Sequence, residues 1–194
     1  MDSGSDSVTA HVGQHTDGVL ERLQEEWAPN RQVEPFEYGP LPWHPDELPG
    51  SVDDVLGVMG GMASVIVFWI DRRVETVLVY NRAGRWEPPG GAIEGRASPE
   101  DTAVAEAMEE TGLEVALTGL ASTGRVTLEF ADGNGVDLPV ATFVGRRVEG
   151  SLRVEREGND HPGVTRGVGL FDRAHLPEDC RDRETIDDLL DPYP

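Results

Sequence analysis

Arg85-Trp86-Glu87-Pro88-Pro89-Gly90-Gly91-Ala92-Ile93-Glu94 leads into a helical pattern from Pro99 to Thr111, which Gly112-Leu113 closes. How this run is read decides the fold. Ser98 is a residue type that caps a helix, and Pro99 is tolerated in the first turn, where its missing N–H costs nothing. Gly112 is a stop signal. Between them, residues three and four apart share a face, so Glu106, Glu109 and Glu110 bring three carboxylates to one side of one helix. Acids at that density repel and raise one another's pKa unless a cation neutralises them. Carboxylate oxygens suit a hard ion, Mg²⁺ or Mn²⁺, and Mg²⁺ is typically held by a few carboxylates together with substrate phosphates.

The run resembles the Nudix box, the strand-loop-helix-loop signature of the Nudix hydrolases. That pattern is Gly, five residues, Glu, seven residues, Arg-Glu, an aliphatic, any residue, Glu-Glu, any residue, Gly, an aliphatic. Placing its last Gly on Gly112 puts the first on Gly91, the metal-binding acids on Glu106, Glu109 and Glu110, and the closing aliphatic on Leu113, without a gap. With both glycines in register, a plain solvated acidic face is a poor account of the cluster. Two supporting positions are vacant. The first box Glu falls on Ala97, and the Arg that orients the adjacent acid falls on Ala105. Glu94 and Glu100 are candidates to fill in for the one, Arg96 and Arg85 for the other. The resemblance extends over roughly residues 60–178.

The resemblance implies an α/β fold, a Nudix-type α/β/α sandwich around a mixed sheet. It also implies a metal-dependent hydrolase that cleaves the pyrophosphate of a nucleoside diphosphate linked to another group. A nucleotide sugar such as ADP-ribose, a dinucleotide and an NTP all belong to that class. Mg²⁺ or Mn²⁺ would sit on Glu106, Glu109 and Glu110, with Gly91 as a candidate ligand through its backbone carbonyl. Glu109 and Glu110 are the box candidates for the base, and Glu155, Glu157 and Asp160 are candidates in a later loop. Substrate contacts are expected from Arg82, Arg85, Trp86, Glu155 and Glu157; a core or shell place is the alternative for Trp86, and pairing with surface acids for the arginines. The vacant positions keep a second reading open, a weakened or inactive nucleotide-binding or regulatory module.

Composition places the protein. The formal net charge is −21 over 194 residues, and all 16 basic residues are arginine. Self-repulsion of this size weakens a compact fold, but the Debye length falls to about 3 Å at 1 M salt. An acid-rich, lysine-free chain therefore reads as a cytoplasmic protein of a salt-accumulating halophile; the alternative is an acidic protein of a GC-rich genome, which also favours Arg over Lys. The same charge argues against a non-specific grip on nucleic acid or on an anionic membrane. The lone Cys180 excludes an internal disulfide framework. No signal peptide is read in the polar first residues, and the apolar stretch Met62–Ile70 is too short to span a bilayer.

Along the chain, residues 1–16 read as a disordered acidic tail, with His11 and His15 in it. Residues 17–59 read as an extension: a helix from Gly18 to Trp27 capped by Asp17, then a segment rich in proline and aromatic residues, then a helical turn capped by Ser51. That segment is expected to lie extended on its own domain or against a dimer mate, so a homodimer stays open. Residues 60–194 read as the Nudix-like domain. Met62–Ile70 and Glu75–Asn81 form a hairpin. Leu113–Leu120, Arg125–Phe130 and Val136–Arg147 are strands, with a hairpin turn at Asp132–Gly135. Arg153–Glu157 is a short strand or a loop edge, Val168–Phe171 is another short strand, and Thr185–Leu190 is a last helix. Val104, Met108 and Thr111 are expected to face inward from the box helix. His161 reads as a surface histidine.

Overall fold

Local sequence signals set the elements in chain order. Helix α1 (Ser3–Trp27) precedes strand β1 (Pro35–Tyr38) and helix α2 (Val52–Val58). Strands β2 (Met62–Ile70), β3 (Val74–Tyr80), β4 (Trp86–Glu87) and β5 (Gly90–Ala92) lead to helix α3 (Pro99–Thr111). Two long strands follow, β6 (Leu113–Glu129) and β7 (Gly135–Gly150), then β8 (Gly167–Phe171), a 3₁₀ turn (Arg173–His175) and helix α4 (Arg183–Leu190). The structure is a computed structural model and describes residues 3–28, 35–41, 46–81, 83–95, 97–154 and 165–193. β1 pairs parallel with β6, whereas β3 pairs antiparallel with β2, β4 and β8. The chain thus has the α/β class and the mixed sheet that its box implies. It divides into two compact units, and α3, β6 and β7 contribute residues to both.

The first unit comprises Met1–Ala63, Ala92–Thr102 and Ser122–Ala141. Its core gathers Val12, Val55, Met59, Val126, Leu128, Phe130, Val136, Leu138 and Val140. Truncating one of the fully buried leucines there, such as Leu138, would cost about 2–5 kcal/mol. Here the sequence expectation fails at its start: α1 begins at Ser3, not at Gly18, and takes in most of the stretch read as a disordered tail. The physical reason is a sparse stripe of small side chains. Val8 and Val12 pack on the core cluster, and the buried Thr16 hydroxyl donates to the Asp137 carbonyl at 2.8 Å. That tertiary burial outweighs the helix cost of Gly13, about 1 kcal/mol relative to alanine. Of the described part of the proline-rich segment, Pro35–Tyr38 is extended, whereas the chain turns at Gly39 (φ 115°) and bends at Asp46, Glu47 and Gly50. β1 lies in register along β6, from Pro35 opposite Thr123 to Tyr38 opposite Val126. Ser51 caps α2 as expected, its hydroxyl accepting the Asp54 N–H.

The second unit comprises Ser64–Gly91, Ala103–Ala121 and Thr142–Pro194. β2 and β3 form the expected hairpin, with Val67 opposite Val77 and Ile70 opposite Val74. The core gathers Ile66, Leu78, Ala121, Leu176, Cys180, Ile186 and Leu190. Burial pushes the Cys180 thiol up to about 12, so it stays protonated and inert, as its sequence context suggests. Three expectations change. Pro99, Thr102, Ala103, Ala107 and Thr111 are the buried residues of α3, while Val104 is half-buried and Met108 exposed. Hydrophobicity ranks Val104 and Met108 first, but small residues let a helix backbone lie close to its neighbour. β6 runs unbroken from Leu113 to Glu129, and Ala121, Thr123 and Gly124 in the stretch read as a gap are buried. α4 starts at Arg183, after Asp182 in a left-handed conformation (φ 60°). Residues 151–154 take no regular structure, and the rest of the short strand or loop edge expected at Arg153–Glu157 lies outside the described residues.

Candidate active site

The box helix is built as its sequence dictates. The Ser98 hydroxyl accepts the Asp101 N–H at 3.0 Å. Gly112 ends the helix at φ +73°, where a Cβ would also come within 2.5 Å of the Arg153 side chain. The last turns of α3 then meet the loop that begins at Gly90.

Two of the three box acids turn to that loop. Gly90 N–H donates to Glu110 Oε2 at 2.9 Å, and the Thr165 hydroxyl donates to Glu110 Oε1. The Glu106 carboxylate occupies the space that a side chain at Gly91 would need: a Cβ there would lie 2.2 Å from Glu106 Oε1. Gly91 is therefore a close-approach glycine, the place where backbone and carboxylate touch. Glu109 stays exposed.

The electrostatics of Glu110 follow from this seat. Burial raises its pKa above the ordinary glutamate value; the hydrogen bonds from Thr165 and Gly90 work against that rise, Glu87 adds to it and Arg181 opposes it. Glu87 is itself half-buried. Its Oε1 accepts from Asn81 Nδ2 at 2.8 Å, and its Oε2 lies 3.3 Å from Arg181 Nη1. Asn81, Glu87, Thr165 and Arg181 belong to this neighbourhood although no sequence signal singled them out. The acidic residue in front of the glycine pair was the one usable clue.

The other sequence candidates fall out as follows. Trp86 packs edge-on against Phe171 at 4.8 Å between ring centroids and beside Tyr80 at 5.1 Å, a shell position within the second unit. Arg85 is exposed, its N–H held by the Asn81 side chain. Arg82, Arg96, Glu155, Glu157, Asp160 and His161 lie outside the described residues. Glu100 is committed elsewhere. Arg22 and Trp27 of α1 both donate to it, which leaves it no part in making up for Ala97. Ala97 instead lines a cavity of about 380 Å³ in the first unit, with His15, Val19, Arg22, Leu56 and Pro99 among its other walls.

The donor set is all oxygen, which fits a hard divalent cation, and the Gly91–Glu106 cradle admits only backbone and carboxylate. Among the described residues, no three His, Cys, Asp or Glu side chains are gathered tightly enough to hold a metal ion. Of the expected trio, Glu110 and Glu106 lie against Gly90 and Gly91, and Glu109 is exposed. Among the described residues, no helix is long and apolar enough to cross a membrane.

Comparison with known proteins follows the same lines. No curated protein matches the chain. Among solved structures, an ADP-ribose pyrophosphatase from Streptococcus suis is 21% identical, with a TM-score of 0.43, covering 60% of this chain and 75% of that one. The NUDIX domain of Shewanella oneidensis NrtR, complexed with ADP ribose, is 15% identical with a TM-score of 0.48, covering 66% and 82%. A MutT NUDIX hydrolase from Burkholderia pseudomallei is 20% identical with a TM-score of 0.45, covering 64% and 95%. The NUDIX domain model matches residues 61–188, which is well over half of the sequence and contains the whole box, so the chain belongs to the NUDIX domain family.

Proposed function

We propose that the chain is a Mg²⁺- or Mn²⁺-dependent pyrophosphohydrolase acting on a nucleoside diphosphate linked to another group. Nucleotide sugars such as ADP-ribose, dinucleotides and NTPs make up the substrate class. The observation that carries the reading is the seat of Glu110 and Glu106 against Gly90 and Gly91, which joins the two ends of the box at one point. Glu106 and Glu110, with the Gly91 carbonyl, would hold the cation, and Glu109 would complete the set from the exposed side. When bound, such a cation neutralises phosphate oxygens and lowers the pKa of attacking water. The chain's own part is orientation. Gly90 N–H and the Thr165 hydroxyl fix the Glu110 carboxylate, and the glycine pair lets the main chain approach the phosphates. Glu109 and Glu110 are the box residues proposed to take the proton from water.

A second reading is favoured by a specific observation. Ala97 and Ala105 leave two supporting positions empty, and Glu100 is tied to Arg22 and Trp27. A nucleotide-binding module without turnover would have the same shape. The charge of −21 supports a high-salt cytoplasm as the working medium. One assay separates the readings: a panel of nucleoside diphosphate derivatives in molar KCl with Mg²⁺ or Mn²⁺. Turnover is the expected result. Nucleotide binding without turnover would give the module the lead.

A further inference from the structure

Arg181 lies far outside the box in sequence, in the turn before α4, yet it is tied to the strand that feeds the box loop. Its backbone N–H donates to the Trp86 carbonyl at 2.9 Å, and its Nη1 lies 3.3 Å from Glu87 Oε2. β4 is only those two residues, Trp86 and Glu87. The buried Pro88 and Pro89 then lead directly to Gly90, whose N–H holds Glu110. Arg181 and Glu110 therefore grip opposite ends of one five-residue segment, Trp86–Gly90. Proline fixes φ, so this segment transmits a displacement at one end to the other.

Charge gives a second link. Glu87 and Glu110 repel each other, and Arg181 attracts both. Two carboxylates in a half-buried neighbourhood are costly unless paired, and removing the partner of one leaves an uncompensated charge. The Asn81 amide satisfies one Glu87 oxygen but carries no charge. The Arg181 guanidinium is not fully engaged by its own surroundings. Its Nε is buried without a hydrogen bond, and Asp182 Oδ2, 3.4 Å away, is out of line for one.

We propose that Arg181 is a positioning residue for the box: pairing with Glu87, it offsets the charge beside Glu110 and fixes the segment whose Gly90 N–H orients the Glu110 carboxylate. The inference rests on the reading of Glu110 as a metal-site acid. It does not require Arg181 to touch metal or substrate.

The test uses the full chain in molar KCl, with Arg181→Met, Arg181→Lys, Glu87→Gln and the Glu87→Gln/Arg181→Met pair. Three quantities are read: the Kd for Mn²⁺ by calorimetry, the hydrogen-exchange rate of the Gly90 amide in metal-free protein, and kcat and KM. Arg181→Met is expected to weaken Mn²⁺ binding about tenfold, to speed Gly90 exchange, and to lower kcat more than it raises KM. Arg181→Lys restores part of the loss. The double variant binds Mn²⁺ more tightly than Arg181→Met, because the unpaired Glu87 charge is gone. Unchanged Mn²⁺ affinity and Gly90 exchange in Arg181→Met would overturn the proposal. So would a rise in KM alone, which marks a direct phosphate contact, or a double variant no better than Arg181→Met. If Arg181→Met does not fold, Arg181→Lys decides: weaker Mn²⁺ binding and faster Gly90 exchange than wild type support the proposal, and both unchanged overturn it. A wild type that turns over no nucleotide yet shows the Mn²⁺ and Gly90 effects sinks the hydrolase reading and leaves Arg181 its role. A wild type that binds no Mn²⁺ overturns both.

Discussion

Arg22 grips Glu100 with both terminal nitrogens, Nη1 to Oε1 at 2.6 Å and Nη2 to Oε2 at 3.0 Å. A bidentate contact of this kind fixes orientation as well as distance. It ties α1 to the first turn of the box helix, and the Trp27 indole N–H adds a third bond at 3.0 Å. Burial pushes the Glu100 carboxyl up, but the bonds from Arg22, from its own N–H and from Trp27 together hold it below the ordinary value. A depressed carboxylate contributes stability above its unfolded pKa, about 4.3 for glutamate, and loses it as pH falls through the folded value. Glu100→Gln should therefore lower the Tm by a few degrees at pH 7, for a loss of about 1–2 kcal/mol. As pH falls through the folded value, below the ordinary glutamate range, the variant and wild-type melting curves should converge. Parallel curves down to pH 2 would contradict this account.

The box acids should separate activity from stability. Glu109→Gln and Glu110→Gln are each expected to lower kcat by about 100-fold or more, with the far-ultraviolet dichroism unchanged. Near-wild-type turnover in both variants at saturating metal would remove these residues from the site.

The contact between Gly91 and Glu106 supplies a finer probe. In Gly91→Ala the new methyl must displace the tip of the Glu106 side chain, which is flexible, so the fold should survive. Mn²⁺ affinity should fall by about tenfold. The effect should largely vanish in a Glu106→Ala background, because neighbours that act through one contact are not additive. Additive losses measured by calorimetry would place the two residues in separate roles.

Ala105 offers a gain rather than a loss. It is exposed on α3, one residue before Glu106, so an arginine fits there without repacking. Ala105→Arg is expected to tighten Mn²⁺ binding or to raise turnover, about tenfold at most. No change in an already efficient enzyme would mean that another residue fills the role.

Salt should act through the charge of −21. Screening weakens as ionic strength falls, so the Tm should drop from multimolar to low KCl. Millimolar Mg²⁺ or Mn²⁺ should restore part of it, since the ion binds only the folded site. A Tm that is flat or higher in low salt would contradict the high-salt reading.

The box was legible because its spacing is a geometric requirement. Pro99, Gly112 and the glutamate positions are dictated by helix geometry and by a glycine approach, and the α3 limits fall where those residues say. The rest was hidden for particular reasons. Val8, Val12 and Thr16 carry little hydrophobic signal individually, and their burial depends on partners distant in sequence. Arg181 and Thr165 reach Glu110's surroundings only through the fold: the neighbours of Arg181 resemble any acidic surface, and those of Thr165 any Gly-rich turn. Glu100 illustrates the converse: adjacency suggested a catalytic substitute, and a bidentate arginine claims it for structure.

The pairing of β1 with β6 changes what counts as the folding unit. The family match opens at residue 61, but the strand that covers that flank of β6 lies at Pro35–Tyr38, and Val12, Val55 and Met59 complete the first unit's core. A polypeptide trimmed to the matched span would bare the edge of β6 at Thr123–Val126 beside uncovered Val126 and Leu128, an arrangement that invites edge-to-edge association between molecules. The N-terminal third is thus expected to guard the domain against self-assembly, and a guard of this kind matters most where concentrated salt removes charge repulsion as a deterrent.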